Sequence, residues 1–201
     1  NALLSSYPEL KEVPRAGIVH RLDKDTSGVL AVARSLKAQA NLVKQLKDRW
    51  MSRQYNALVY GHPNKEETVD APIDRHRLQR TKMAVVSTGK PAVTHYRLNE
   101  MIAHCAWVDI KLETGRTHQI RVHMMHIGHP LVGDQVYRRG RPGLGNSTGE
   151  ARALVDGFPR QALHARRLGL IHPTHGEPIE FEVPLPSDLD GLLVALRRVN
   201  V

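Results

Sequence analysis

The amino-acid sequence predicts an α+β domain built on a mixed, mostly antiparallel sheet with flanking helices and loops. Three observations predict it. Strand-like runs are many and short. Helix-periodic segments are few and scattered among them. The 201 residues are 41% hydrophobic, with no internal repeat or low-complexity tract, enough for one sizeable core. One domain over residues 1–201 is therefore expected.

In chain order, residues 1–16, with Pro8 and Pro14, read as an extended arm, and 29–34 as a strand. Residues 36–48 read as a helix with Leu36, Ala40, Val43 and Leu46 near one face. Residues 53–60 alternate like a half-buried strand, with Tyr55, Ala57 and Val59 on one side. Further strands are expected at 81–87, 92–101 and 106–113; within the last, Val108-Asp109-Ile110-Lys111-Leu112 alternates apolar and charged. A helix is expected at about 117–127, with Thr117 as N-cap and Ile120, Met124 and Ile127 on its buried face. Residues 138–160, rich in Gly, read as a mobile surface loop. Strands follow near 162–171 and 178–183, and a helix from Ser187 turns Leu189, Leu192, Leu193 and Leu196 to the core.

The charge balance is +9, from 29 Lys and Arg against 20 Asp and Glu, which favours a polyanionic partner, most commonly nucleic acid. Aromatic residues make up only 4%, so contact with such a partner should run through phosphates and shape, not a broad stacking platform. Candidate phosphate contacts are Arg77, Arg80 and Lys82 in one basic loop, with Lys90 and Arg116. No run is long and apolar enough for a membrane span. The single Cys105 fits a reducing, cytoplasmic setting. The chain opens on Asn1, without Met, and reads as part of a longer protein.

Three stretches carry the chemistry. "VHRLDKDTSG", residues 19–28, crowds His20, Arg21, Asp23, Lys24 and Asp25 between two β-like runs. Tyr55 stands on its strand. "LETGRTHQIRVHMMHIGHPLVGD", residues 112–134, runs from a strand through a turn into a helix. His118, His123, His126 and His129 in the last stretch lack the i, i+4 spacing with a nearby carboxylate that zinc sites of this kind use, so no metal site is expected. Arg116 is placed at the helix start, where free N–H groups favour an anion. Arg121 adjoins the buried face and needs a carboxylate there, because a lone buried charge is costly. Asp23 is one candidate partner; the residues alone leave open whether the two pair or are separately solvated.

"GIVHRLDKDTSGVLAVAR", "RQYNALVYG", "KPAVTHYRL", "LETGRTHQIRVHMMHIGHPLVGD" and "RQALHA", in this order, resemble the pseudouridine synthases of the RluA-like family, over about residues 12–197. The likeness is greatest to the branch acting on large-subunit ribosomal RNA. It implies isomerisation of specific uridines with Asp23 as nucleophile, Tyr55 beside the target base and Arg121 paired with Asp23. It further implies that Arg21 helps displace the base and that Leu163 contacts the uracil. Asp25 and Thr26 would then shape the turn, and Lys24 would touch phosphate. No cofactor is implied, since the N1–C1′ bond is exchanged for a C5–C1′ bond without redox change. The partner would be ribosomal RNA and the protein a monomer. The resemblance also implies an N-terminal RNA-binding domain of the S4 kind, expected to lie outside residues 1–201. Transfer RNA as substrate and a non-catalytic RNA-binding module are the other readings; the intact Asp23, Tyr55 and Arg121 set argues against the second. A metal-dependent nuclease would need clustered carboxylates, which are missing.

Overall fold

A computed structural model describes residues 2–138 and 149–199. Its elements are helix α1 (Ala2–Ser6), strand β1 (Ser27–Gly28), helix α2 (Leu36–Lys47), and strands β2 (Ser52–Tyr60), β3 (Glu66–Asp70), β4 (Ile73–Arg75), β5 (Met83–Val85), β6 (Val93–Ile102) and β7 (Cys105–Leu112). Helices α3 (Gln119–His126) and α4 (Gly149–Asp156), strands β8 (Leu163–Ile171) and β9 (Pro178–Glu182), and helix α5 (Ser187–Val199) follow. The main sheet runs β1-β8-β2-β7-β6-β3, with β9 also on β8; β4 and β5 form a separate hairpin. Every pairing is antiparallel except β1 with β8.

β2 lies between β7 and β8, so it is buried on both faces from Tyr55 to Tyr60, not half-buried as the alternation suggested. On one face Leu58, Tyr60 and Trp107 pack against Ala151 and Val155 of α4 and the four leucines of α5. On the other, Tyr55, Ala57, Val59, Val108 and Ile110 pack against Ile120 and Met124 of α3. The sheet is thus a middle layer, and the second face carries the site. β8 slips by one residue against β2 between Gln54 and Asn56, directly across from Tyr55. Such a bulge bends the strand and re-aims the side chains beside it.

Several expectations are corrected. Of the arm expected at 1–16, the described residues 2–16 are not extended: α1 is followed by two 3-10 turns, each opened by a proline, which bury Leu10 and Val13. No strand forms at 29–34: that stretch keeps only an isolated bridge of Val32 with Ile18, and the two-residue β1 lies before it. One reason is that the N–H of Ala31 donates to the ring Nε2 of His20 instead of a neighbouring strand. α2 buries Leu42 and Gln45, while Leu36 and Val43 are exposed. α3 starts at Gln119, and its N-cap is His118 in a left-handed conformation (φ 58°), not Thr117. In the segment 138–160, α4 forms because Ala151 and Val155, four residues apart, face the core; residues 139–148 of that expected loop lie outside the described residues. The edge strand β3 and strand β4 were not anticipated.

Candidate active site

The 20–28 loop is shaped by its neighbours more than by its own charges. The N–H of Thr26 closes a turn on the carbonyl of Asp23 (3.0 Å), with Asp25 in the left-handed region at φ 68°. Gln161 donates to the carbonyl of Lys24 (2.6 Å) and pairs with the hydroxyl of Thr26 (3.0 Å). Arg160 donates to the carbonyl of Asp25 (3.0 Å) while its guanidinium grips Asp188 on α5. Gly28 (φ 117°) lets β1 close on β8: a Cβ there would lie 2.1 Å from the Ala165 carbonyl oxygen. Burial, and then the charge of Arg53, push the His20 ring down to about 4, so it stays neutral and can accept from Ala31.

Asp23 is thereby held at one wall of a cavity of about 500 Å³. Its Oδ2 lies 3.5 Å from Nη1 of Arg121, and both side chains are largely buried. The tighter partner of Arg121 is Asp134, which the sequence reading missed. Arg121 Nε and Nη2 donate to the two Asp134 oxygens at 2.7 and 3.0 Å. Asp134 also accepts the N–H groups of Val136 (2.8 Å) and Tyr137 (2.9 Å). Burial alone would push the Asp134 carboxyl up, but Arg121 and these two N–H groups outweigh it and hold the carboxyl below its usual range. The Tyr137 ring lies under the guanidinium at 4.9 Å, and its hydroxyl meets His118 Nδ1 (2.7 Å) and the N–H of Met83 on β5 (2.8 Å).

Of the residues singled out from the sequence, Arg21, Asp23, Tyr55, Arg116 and Leu163 line this one cavity. Leu163 and Tyr55 supply apolar wall, at 3% and 8% exposure. Burial raises the Tyr55 hydroxyl above its ordinary range, Arg53 opposing and Asp23 reinforcing the shift, so it is held as the phenol. Arg21 is exposed, with no carboxylate in salt-bridge distance among the described residues. Arg116 lies in the turn before α3, not at its start, and its own N–H is already taken by the Gln119 side chain. Lys24, Arg77, Arg80 and Lys90 are exposed outside the cavity, and Lys82 is half-buried on the β4–β5 hairpin.

The four histidines do not converge. His118 meets Tyr137, His123 lies between Thr94 and the carbonyl of Ala71, and His129 meets the carbonyl of Tyr60. Among the described residues no three His, Cys, Asp or Glu side chains gather as a metal site would require. The cavity also draws on Arg15, Lys47, Arg49 and Arg53, so six cations face two carboxylates, Asp23 and Glu113. A carboxylate, an apolar slot and a cationic surround can hold a flat uncharged ring on an anionic backbone and attack it.

A sequence model described as RNA pseudouridylate synthase matches residues 2–126. The chain is 54% identical over 199 residues to the ribosomal large subunit pseudouridine synthase D of Nitrosomonas europaea, covering 99% of this chain and 56% of that protein. It is 54% identical to the protein of the same name from Xanthomonas campestris, covering 98% and 60%. The chain thus spans about three fifths of the length of these relatives. In structure it is similar to human RNA pseudouridylate synthase domain containing 4 (TM-score 0.72, 28% identity, 90% of this chain and 75% of that one). It is also similar to human RNA pseudouridylate synthase domain containing 1 (TM-score 0.68, 31% identity, 87% and 72%).

Proposed function

The chain belongs to the RNA pseudouridylate synthase family, and from that membership we propose that it converts uridines of large-subunit ribosomal RNA to pseudouridine, with Asp23 as nucleophile. The observation that carries the reading is the Asp23 carboxylate, 3.5 Å from Arg121 and facing a cavity walled by Tyr55 and Leu163. The substrate is supported by the names of the relatives and by the +9 charge.

The reaction breaks N1–C1′ and forms C5–C1′; C5 loses its proton and N1 gains one. Neither an electron acceptor nor a cofactor is required, and a positioned carboxylate suffices. Arg121, clamped by Asp134, presents its remaining Nη1 to Asp23 and fixes the carboxylate's direction. Tyr55 and Leu163 cover the ring of the flipped base. Arg21, unpaired at the rim, fills the place the base has left, so that less of the unstacking penalty remains. Lys24, Arg77, Arg80, Lys82, Lys90 and Arg116 contact phosphates. The protein acts as a cytoplasmic monomer.

RNA carrying tritium at uridine C5 tests this, because forming the C5–C1′ bond must release that hydrogen to water. Release from large-subunit ribosomal RNA is expected. Release only from transfer RNA would reassign the substrate, and none from any RNA would refute the activity.

A further inference from the structure

We infer that Arg53 is an anion receptor inside the cavity, held without a carboxylate so that it can take a phosphate flanking the target nucleotide. This rests on the reading of the cavity as the site for a flipped uridine. Arg53 is on β2 two residues before Tyr55, hence on the same side of the strand, and lines the cavity. It is only 8% exposed. Nη2 makes one hydrogen bond, to the carbonyl of Glu113 (3.2 Å), and Nε is buried with no partner. Among the described residues no carboxylate lies within salt-bridge distance. Glu113, whose backbone carbonyl is that acceptor, has its carboxylate oxygens engaged by Arg49 (2.9 Å) and His95 (2.7 Å).

The other buried arginine of the site sets the contrast. Arg121 has Asp134 on two nitrogens and Asp23 beside the third. A buried guanidinium without such compensation is unfavourable in the free protein, so an anion arriving with the substrate has the most to gain there. Desolvation weakens Arg53's hold on its own proton, in keeping with a charge that lacks its counterpart. The guanidinium is also fixed in place: the chain at Gly115 passes so close that a Cβ would lie 2.4 Å from Nη1. Uracil is neutral and cannot supply the missing charge. A phosphodiester can, and its two free oxygens match the planar fork of an arginine. Arg49, paired with Glu113, and Arg116 line the same cavity.

The test pairs Arg53→Met with short RNA substrates tritiated at the target uridine, in which the 5′ or the 3′ phosphodiester is replaced by a neutral methylphosphonate. The wild type should lose roughly ten- to a hundredfold in kcat/KM on one of the two, the worth of a charge-assisted hydrogen bond. Arg53→Met should be equally slow on unmodified RNA and lose nothing more on that methylphosphonate. Its melting temperature should stay level or rise, since an uncompensated charge has been removed. Further loss by the variant on both methylphosphonates, in full proportion to the wild type, would overturn the inference. So would a lowered melting temperature with unchanged kcat/KM per folded molecule, which is what a purely structural arginine gives. A wild type that releases no tritium from unmodified RNA would instead refute the assigned activity, and this inference with it.

Discussion

Asp134→Asn changes one oxygen to an amide in the tightest buried cluster of the site. Asp134 accepts four hydrogen bonds, two from Arg121 and two from the backbone of Val136 and Tyr137. Asparagine can keep the backbone pair on its carbonyl oxygen, but its amide then faces Arg121 Nε, donor against donor. Arg121 keeps only its Nη2 bond to that oxygen, now uncharged, and Asp23, at 3.5 Å, is its one remaining carboxylate among the described residues. Removing one partner of a buried pair costs about 3–5 kcal/mol, a large share of the roughly 5–15 kcal/mol that holds a domain folded. Urea unfolding near neutral pH should show that loss. Because the folded pKa of Asp134 is lowered, its contribution is full above the unfolded value of 3.8 and disappears as pH falls through the folded value, so the gap between wild type and variant should close in acid. Catalysis should suffer separately. Arg121, with its Nε bond and charged partner lost, shifts toward Asp23 and ties up the nucleophile, so kcat per folded molecule falls at least about tenfold while KM for RNA holds. A stability change below about 1 kcal/mol, in the range of ordinary surface substitutions, would refute the energetic reasoning; an unchanged kcat would confine Asp134 to the scaffold.

Asp23→Asn should abolish tritium release and leave RNA binding within a few-fold; near-normal turnover would remove Asp23 from the chemistry. Arg77, Arg80 and Lys82 changed together to Ala should flatten the dependence of RNA affinity on salt, because fewer counterions are displaced; an unchanged slope would exclude that hairpin from the interface. Arg21→Ala should slow turnover more on paired than on unpaired target uridines, where less stacking has to be broken; an equal defect on both would make Arg21 part of the scaffold. His20, pushed down to about 4, stabilises the fold fully above 6.5 and progressively less as pH falls from 6.5 to 4, a change of at most about 3 kcal/mol. His20→Gln, whose side chain can still accept from Ala31, should reduce the slope of unfolding free energy over that interval; an identical slope would refute the assignment.

β2, β6, β7, β8 and α5 were legible because apolar periodicity is strong where an element is buried along its length. β3 was not: it is an edge strand that buries only Val69. α4 was hidden between Gly149 and Gly157, which read as loop signals, although Ala151 and Val155 already had helical spacing. At the site, Arg121 was conspicuous as a cation on an apolar helix face, and the need for a carboxylate followed from its burial. Asp134 was not conspicuous, since Gly133-Asp134 has the chemistry of an ordinary turn and only the tertiary fold carries it to Arg121. Arg53 was equally obscure, because a basic residue opening a strand is normally solvated; its burial is set by the 113–116 turn crossing over it.

The contacts of Arg160, Gln161 and β8 with the 20–28 loop span 135 to 137 residues of sequence. Closing so long a loop is among the later and slower events of folding. During synthesis from the N-terminus, Asp23 leaves the ribosome long before the strand that orders its loop. The active centre is therefore a timer on its own completion: a nascent chain can expose every residue of the first catalytic motif and still have no reactive geometry. Chains cut short before β8 would be inert toward RNA even where β2, β6 and β7 have already paired.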